Sequence, residues 1–424
     1  MKKSFMEALF DEVLWQRCLE EGTSEKHLNA NDMMLMSNPK WRANFRKKIE
    51  DGDYEIMPPV QKQIPKDNGE YRTVYVNSRS EDRIFLAIIN ELLFNQCFDM
   101  VHESCKSYQA GIGCGNVVKS ISSKLEAGEK GFKADLSKYF DSVPIQFIDE
   151  CFDRIEQRIG KNPAIDIVRK YYHDERLFSL NGELIMQYQS LRQGCAVSSF
   201  LADAMLFHID EKLSNLKGFY VRYSDDILYI GPNADSAKEL LEVELKKMGL
   251  SLNPNKVENI DSREWFKFLG FSIRGKDISI SKEGLKKFED EIRRRTVGRL
   301  KSKNSRLTMK QAVSSVNSFL YVGNGQYSWA TQKLPIINVK NDIDIMNYFV
   351  MNCIRAAVTG KKGVGSLAYN KGGLAGVVVS GKGKNVTANI RKIPGKICGY
   401  RSIGNMWNII NTDKCVYNLI VAQL

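Results

Sequence analysis

Two adjacent aspartates, Asp225 and Asp226, lie between two runs of apolar, β-forming residues, and this pair constrains the fold more than any other feature. Residues 219–221 precede the pair and residues 227–230 follow it. The pattern predicts two strands that meet at a hairpin with the carboxylates at its tip. Because adjacent like charges raise the free energy of a site, such a pair favours a bound cation, and we expect Mg²⁺. From these residues alone, a solvated turn is an equally good interpretation.

A second acidic position, Asp135, ends a predicted buried strand over residues 131–135 and precedes a turn into a helix. A lone aspartate there caps a helix as readily as it binds a metal. Here we predict a metal ligand, because the hairpin of Asp225 and Asp226 can adjoin this strand in one sheet. Two Mg²⁺ ions between the two acidic positions would activate a 3′-hydroxyl and stabilise leaving pyrophosphate, as phosphoryl transfer requires.

Basic and glycine-containing motifs flank these acids. Residues 64–76 predict a hairpin that holds Lys66 and Arg72 close together, a geometry suited to a triphosphate. Gln193 and Gly194 precede a run of small residues, and the pair either lets backbone pack beneath a base pair or simply leads into a helix. Lys256, predicted at the start of a short strand, is placed to protonate leaving pyrophosphate.

Helical periodicity predicts most of the remaining elements. The predicted helices cover residues 5–20, 41–49, 81–100, 145–174 (a helix-rich insert), 200–213, 234–248 and, less sharply bounded, 281–300, 308–322 and 342–359. Residues 268–273 read as one strand with a central glycine that completes the sheet. The tail from residue 361 is either a set of short strands or a flexible RNA-binding arm.

Charge and cysteine usage limit the class of protein. The 424 residues carry a formal charge of +12, and ten cationic residues lie between Asp344 and Asp413 without one acidic residue. This distribution favours contacts with nucleic acid phosphates over a role in solubility alone. Nine scattered cysteines without a Cys-x-x-Cys pair predict reduced core thiols rather than zinc. No apolar run approaches the ~18 residues of a membrane span, so we expect a cytoplasmic protein without membrane contact.

In this order, the motifs resemble those of reverse transcriptases over about residues 60–275. The resemblance implies an α+β right-hand polymerase with fingers, an antiparallel-sheet palm and a helical thumb. The implied parts are an N-terminal helical extension (1–50), fingers and palm (51–275, with the palm core at 131–144 and 191–275), a thumb (276–360) and a basic C-terminal extension (361–424).

The resemblance also implies roles for individual residues. Catalysis falls to Asp135, Asp225, Asp226 and Lys256, with the Leu136 carbonyl as a further metal ligand. Lys66 and Arg72 grip the triphosphate, Phe140 gates against a ribose 2′-hydroxyl, and Gln193 with Gly194 lies under the templating pair. The residues implied in the primer grip are Phe268, Leu269, Gly270 and Phe271. Those expected to bind nucleic acid are Arg293, Arg294, Arg295, Arg299, Lys361, Lys362, Lys382 and Lys384.

Absent motifs narrow the expected subtype. The sequence offers neither the spaced acids of an RNase H domain nor a Cys- and His-rich endonuclease, and it looks most like the bacterial defence-associated reverse transcriptases. That resemblance implies cDNA synthesis from a partner structured non-coding RNA, with a primer, dNTPs and two Mg²⁺ ions for which Mn²⁺ can substitute, in defence against phage. A retron or intron-derived enzyme is the alternative within the class. A non-catalytic RNA-binding scaffold or phage sensor is the alternative outside it.

Overall fold

The computed structural model describes residues 3–25, 28–66, 69–109, 111–126, 128–299, 306–323, 328–360, 364–370, 373–381, 384–388 and 397–412. The chain divides into two compact units. The first consists of the residues up to Ile112 with Phe132–Glu258, and the second of Gly113–Gly131 with the residues from Asn259 onward. Helices and antiparallel strand pairs build both units, so the predicted α+β class is confirmed.

The helices, in chain order, are α1 (Phe5–Leu9), α2 (Glu12–Glu25), α3 (Ala30–Ser37), α4 (Pro39–Glu50), α5 (Ser80–Gln96), α6 (Cys114–Lys124), α7 (Tyr139–Ser142), α8 (Ile145–Ile159), α9 (Pro163–His173), α10 (Ser198–Met205), α11 (Phe207–Ser214), α12 (Ala234–Lys247), α13 (Lys282–Arg295), α14 (Met309–Asn317), α15 (Trp329–Lys333), α16 (Lys340–Thr359) and α17 (Ile403–Thr412). Short 3-10 turns cover Phe98–Met100 and Pro254–Lys256, and a π-helical turn covers Ser318–Val322.

The strands are β1 (Val60–Pro65), β2 (Tyr71–Val76), β3 (Lys130–Asp135), β4 (Arg176–Phe178), β5 (Leu184–Met186), β6 (Phe219–Tyr223), β7 (Asp226–Ile230), β8 (Glu258–Asp261), β9 (Phe266–Phe268), β10 (Phe271–Arg274), β11 (Asp277–Ile280), β12 (Ser366–Asn370), β13 (Gly373–Gly381) and β14 (Lys384–Ala388). Their sheets have the orders β2-β1-β4-β5, β6-β7-β3-β8, β11-β10-β9 and β12-β13-β14.

The sheet that carries the acidic residues is built around β7. β6 and β7 pair antiparallel, with Tyr223 opposite Asp226, as the hairpin pattern predicts. Ile227, Leu228 and Tyr229 are all buried, because β7 lies between β6 and β3 and is covered on both faces. The rings of Tyr229 and Phe132 stack at 6.0 Å, which ties β7 to β3 through the core.

The N-terminal helices differ from the prediction of one helix over residues 5–20, which is wrong. The chain breaks at Phe10, and the Asp11 carboxylate then accepts a 3.0 Å hydrogen bond from the Leu14 N–H as the second helix begins. The sequence analysis also missed α3, which starts at a reciprocal capping box between Asn29 and Asp32. Local capping therefore divides the segment more finely than hydrophobic periodicity shows.

Two longer predicted helices are also interrupted. The helix predicted over 81–100 ends at Gln96, and Phe98, in the 3-10 turn that follows, is 71% exposed. The helix predicted over 200–213 is two helices, because Leu206 adopts φ −90° and ψ 7° between α10 and α11. Both corrections concern helix ends, where a few backbone dihedrals decide and apolar spacing is uninformative.

In the second unit, residues 268–273 form a hairpin rather than one strand. Leu269 (φ 47°) and Gly270 (φ 77°) make the turn, and Phe268 pairs with Phe271. Two successive positive φ angles are typical of tight hairpin turns. The resulting β9-β10-β11 sheet is separate from the β6-β7-β3-β8 sheet, so the prediction that this segment completes that sheet is wrong.

The tail beyond residue 361 contains β12, β13 and β14, paired antiparallel, followed by α17. Of the two alternatives for this region, its described part therefore takes the form of short strands. Within the described residues, no helix combines the length and the apolar character needed to cross a membrane.

Candidate active site

The two acidic positions meet because β3 and β7 are neighbours. The Leu136 N–H, one residue past Asp135, donates a 3.2 Å hydrogen bond to the carbonyl of Asp225. Asp226 opens β7, and Asp135 ends β3 on the adjacent strand. The structure therefore brings together the three aspartates that the sequence predicts as catalytic.

Two of these carboxylates, Asp225 and Asp226, have raised pKa values. Burial, reinforced by the charges of Asp225 and Asp135, raises the pKa of Asp226 to about 6. Burial and the charge of Asp135 also raise the pKa of Asp225. Since a raised carboxylate pKa means that the ionised form is disfavoured, the site holds more negative charge than its surroundings compensate.

Lys256 supplies part of the missing positive charge. Its Nζ donates a 2.8 Å hydrogen bond to Oδ2 of Asp135. Burial alone opposes its charge, but that hydrogen bond and the charges of Asp135, Asp225 and Asp226 prevail and raise its pKa. The prediction that Lys256 starts a strand is wrong, because Lys256 ends a 3-10 turn. The turn starts at Pro254, and the Asn253 side chain before it accepts a hydrogen bond from the Asn255 N–H.

Within the described ranges, no three carboxylate, thiol or imidazole groups converge closely enough to enclose a metal ion as they stand. The chemistry of the donors nevertheless fits Mg²⁺, which prefers carboxylate oxygens. Lys256 holds an oxygen of Asp135, and its side chain is 58% exposed and able to move away. The raised pKa values of Asp225 and Asp226 mark the charge that a divalent cation would offset.

The hairpin of β1 and β2 brings two cationic side chains near the acids. β1 pairs with β2 so that Ile64 lies opposite Arg72, and Arg72 is close enough to lower the proton affinity of Asp225 and of Asp141. Lys66 also acts on Asp141 and forms a 3.4 Å ion pair with Glu70. The charges of Arg72 and Lys66 thus both act on the carboxylate of Asp141. Burial raises the pKa of Asp141, a residue that the sequence analysis did not single out.

Gly194 lies against the second strand of that hairpin. The Gln193 carbonyl accepts a 2.7 Å hydrogen bond from the Tyr75 N–H. Gly194 has φ 111°, and a Cβ at this position would lie 2.9 Å from the Tyr75 carbonyl oxygen. Gln193 and Gly194 therefore make the expected close backbone approach, and the strand that they approach is β2, at Tyr75.

Phe140 stands on the short helix after Asp135. Its ring packs edge-on against Tyr139 at 5.7 Å and is partly buried against the main core. Its carbonyl accepts a 3.1 Å hydrogen bond from the Leu191 N–H, which joins the helix to the loop that carries Gln193. The predicted gate and the predicted template loop are therefore neighbours.

A buried ionic cluster beneath the turn escaped the sequence analysis. The Arg222 guanidinium bonds to Asp210 (Nη2 to Oδ2, 2.6 Å) and Asp203 (Nη1 to Oδ1, 3.3 Å), and all three side chains are fully buried. Burial raises the pKa of Asp203 to about 6 despite the nearby guanidinium. A signal was present: Arg222 is the one charged residue in β6, and it lies three positions before Asp225.

The residues predicted as the primer grip lie in the second unit. Phe268 and Phe271 are buried, and Leu269 and Gly270 form the half-buried turn between them. The Nζ of Lys333 lies 4.0 Å from the centre of the Phe271 ring.

The arginines at the end of α13 form ion pairs with carboxylates of the same helix. Arg293 pairs with Glu289, and Arg294 and Arg295 both pair with Glu291 at 2.5–2.6 Å. Their role in nucleic acid binding stays a prediction, as does that of Arg299. Lys361, Lys362 and Lys382 lie outside the described residues, and at Lys384 only the backbone of β14 is described.

Residues 64–273 match the protein family described as "Reverse transcriptase (RNA-dependent DNA polymerase)". The match covers just under half of the chain, and its bounds agree with the predicted 60–275. The sequence matches no curated protein.

Solved structures with a similar backbone include two telomerases and a viral polymerase. Apo telomerase from Candida tropicalis is 15% identical over 72% of this chain and 58% of its own, with a TM-score of 0.44. Telomerase from Candida albicans in complex with a TWJ fragment of telomeric RNA is 12% identical over 78% of this chain and 66% of its own, also at 0.44. The RNA-dependent RNA polymerase of a human picobirnavirus is 10% identical over 72% and 59%, at 0.47. This chain thus spans less than two thirds of the C. tropicalis telomerase.

Proposed function

We propose that the chain is an RNA-directed DNA polymerase, a nucleotidyltransferase that extends a primer with deoxynucleotides on an RNA template. The premise is the reverse transcriptase domain at residues 64–273. The observation that carries the proposal is the meeting of Asp135, Asp225 and Asp226 at adjacent strands, with raised pKa values at the last two. Such clusters of perturbed carboxylates are typical of catalytic sites.

In this reaction the 3′-hydroxyl oxygen of the primer attacks the α-phosphorus of a triphosphate and pyrophosphate leaves. Two Mg²⁺ ions, or Mn²⁺ in their place, held by Asp135, Asp225, Asp226 and the Leu136 carbonyl would offset the charge on the attacking and leaving oxygens. Lys256 stays protonated at neutral pH because its pKa is raised, so it can neutralise the leaving pyrophosphate and then give it a proton.

The fingers supply the remaining contacts to the nucleotide. Arg72, whose charge already reaches Asp225, and Lys66 would hold the triphosphate oxygens. Phe140 stands on the helix directly after Asp135 and would lie against the sugar, where a ring excludes a 2′-hydroxyl. Gln193 and Gly194 would support the templating pair from the loop that Phe140 contacts through Leu191.

The template we propose is a structured non-coding RNA, copied into cDNA in the cytoplasm as part of a defence against phage. The support is the motif resemblance and the one-signed segment between Asp344 and Asp413, whose ten cationic residues suit a phosphate backbone. A retron or intron-derived enzyme remains the alternative within the same chemistry.

Incorporation of labelled dNTPs on a primed RNA tests the chemistry. We expect wild-type protein and the matched control Asp235→Ala, on the exposed start of α12, to synthesise DNA in Mg²⁺, and the double variant Asp225→Ala/Asp226→Ala to have no activity. Equal synthesis by the double variant would overturn the assignment. If the wild-type protein binds RNA but incorporates no nucleotide, the result would favour the alternative of a non-catalytic RNA-binding scaffold. Sequencing the nucleic acid that co-purifies with the chain identifies the template.

A further inference from the structure

Ser224, the residue before Asp225, has an unusual backbone conformation. Its φ is 57°, in the left-handed region that residues with a Cβ seldom adopt. All three of its polar groups are bonded by side chains outside the turn. The N–H donates to Ser107 Oγ (2.9 Å), the carbonyl accepts from Arg222 Nη1 (3.1 Å), and Oγ bonds to the Tyr108 hydroxyl (3.0 Å).

The hydroxyl of Ser107 has a fixed direction. It is buried and donates its one proton to Oδ1 of Asp203 at 2.6 Å. Its lone pairs are therefore left to accept the N–H of Ser224. Ser107 therefore bonds to the buried ionic cluster through Asp203 and to the hairpin turn through Ser224.

The guanidinium of Arg222 is equally constrained. Nε and Nη2 donate to the two carboxylate oxygens of Asp210 at 2.8 and 2.6 Å, and Nη2 also donates to the Asp203 carbonyl at 3.0 Å. Tyr220 donates to Asp210 at 2.7 Å. Because these bonds hold the planar group from several sides, Nη1 is directed at the Ser224 carbonyl and has little freedom to turn away.

A cluster that served stability alone would need neither contact to Ser224. We infer that Ser107 and Arg222 are positioning residues that fix the backbone of Ser224 and thereby orient the Asp225 carboxylate towards the proposed metal site. This inference rests on the proposed polymerase function. Tyr108 completes the arrangement from the solvent side, where its ring is 46% exposed.

Paired serine variants separate positioning from folding. Ser107→Ala removes the acceptor for the Ser224 N–H, whereas Ser104→Ala, in the same segment, removes a hydroxyl whose bond is to His102. We expect Ser107→Ala to lower kcat about a hundredfold with little change in the KM for dNTP, since misplacing a reacting group by an ångström costs that much. Ser104→Ala should keep the wild-type kcat.

Because Ser107 is buried, its replacement can destabilise the chain, and a second pair of variants covers that case. Tyr108→Phe and Ser224→Ala each remove one side of the same hydrogen bond. If the hydroxyl acts through Ser224, the double variant should lose no more kcat than the stronger single variant. If the losses of kcat in the two single variants multiply in the double variant, Tyr108 does not act through Ser224.

Binding of Mn²⁺ to the protein alone, followed by electron paramagnetic resonance, gives a readout that needs no turnover. Wild type should bind Mn²⁺, Asp225→Ala/Asp226→Ala should not, and Ser107→Ala should bind about tenfold more weakly than Ser104→Ala. If wild type binds Mn²⁺ in this way but makes no DNA, the polymerase function fails while the positioning role stands. The positioning role is overturned if Ser107→Ala and Ser104→Ala have the same Mn²⁺ affinity and the same kcat. It is also overturned if the loss of kcat in Ser107→Ala is explained by its lower thermal midpoint alone. Failure of wild type to bind Mn²⁺ at these aspartates would overturn it as well.

Discussion

Lys256 donates a 2.8 Å hydrogen bond to Asp135, so the strand-end carboxylate is already paired with a cation from another part of the chain. The pair is asymmetric: the Lys256 side chain is 58% exposed, whereas that of Asp135 is 11% exposed. An exposed ammonium can leave a buried carboxylate when a divalent cation arrives. We therefore interpret the ion pair as the resting arrangement of the acid site.

Replacing Lys256 by Met should impair the chemical step more than nucleotide binding. The change removes the predicted proton donor to pyrophosphate, and loss of a general acid costs roughly 10²–10⁴-fold in rate. It also removes the charge that opposes protonation of Asp225 and Asp226. Single-turnover incorporation of dNTP measures the step.

Lys247→Met is the control for Lys256→Met, because Lys247 is an exposed lysine whose ion pair is with Glu244 on its own helix. It should incorporate dNTP at the wild-type rate. Equal rates in both variants would show that Lys256 only neutralises Asp135 and transfers no proton.

Asp203 should make stability depend on pH between about 4 and 6. In the folded chain burial raises its pKa to about 6 from an ordinary value near 3.8, and its Oδ2 is buried without a hydrogen-bond partner in the described part of the chain. In this window the folded state holds a proton that the unfolded state has lost, so the free energy of unfolding from this group falls as pH rises. Asp203→Asn cannot titrate but keeps an oxygen for Ser107.

Urea titrations at several pH values measure this effect as the stability of wild type minus that of Asp203→Asn. The difference should decrease from pH 4 to pH 6 and level off above it. Asp235→Asn, at the exposed start of α12, serves as the control and should give no such trend. A difference that rises with pH would mean that Arg222 keeps Asp203 ionised throughout.

Gly194→Ala should destabilise the chain through a specific contact. A Cβ would lie 2.9 Å from the Tyr75 carbonyl oxygen, at a φ of 111°. Gly182→Ala is a matched control, since its φ is 80° and no atom lies within 4 Å of the new Cβ. Both variants carry backbone strain of about 1–3 kcal/mol, and the further loss in Gly194→Ala measures the clash. Equal midpoints in urea for the two variants would mean that the loop moves away from β2 at no cost.

The local parts of the site were predictable from the sequence because each is a short pattern. A predicted strand that ends in an acid identifies Asp135, and two apolar runs around an acidic pair identify Asp225 and Asp226. Their meeting follows from the pairing of neighbouring strands, which the sequence allowed and did not require. The glycine that permits close approach at position 194 was recognised, but its partner in β2 was not.

The buried cluster could not be predicted because burial of a charge depends on partners far away in sequence. Arg222 stands out as the one charged residue in β6, but nothing in the sequence pairs it with Asp203 or Asp210. The hairpin at Leu269 and Gly270 was missed for a similar reason. Its two positive φ angles are adopted by a pair without the Asn-Gly signature that marks such turns.

Phe140→Ala should relax discrimination against ribonucleotides. Removing the ring opens space where a 2′-hydroxyl would stand, so the ratio of kcat/KM for dATP to that for ATP should fall by at least about tenfold. The ratio is the useful measurement, because any loss of folded protein reduces both rates equally. Phe147→Ala, at another partly buried ring that packs on the same core, should keep the wild-type ratio. An unchanged ratio in Phe140→Ala would mean that the ring of Phe140 does not discriminate against the 2′-hydroxyl.

Arg294 should exchange its partner when nucleic acid binds. It forms two 2.6 Å bonds to Glu291, but its side chain is 69% exposed, and exposed ion pairs are weak and readily replaced by a phosphate. If it contacts one phosphate of a single-stranded RNA, Arg294→Gln should reduce the slope of log K against log salt by about 0.7. Arg263 is similarly exposed and paired with Asp261, so Arg263→Gln should leave the slope as in wild type. An unchanged slope in Arg294→Gln would restrict Arg294 to stabilising its own helix, because a charge that contacts phosphate must release counterions when RNA binds.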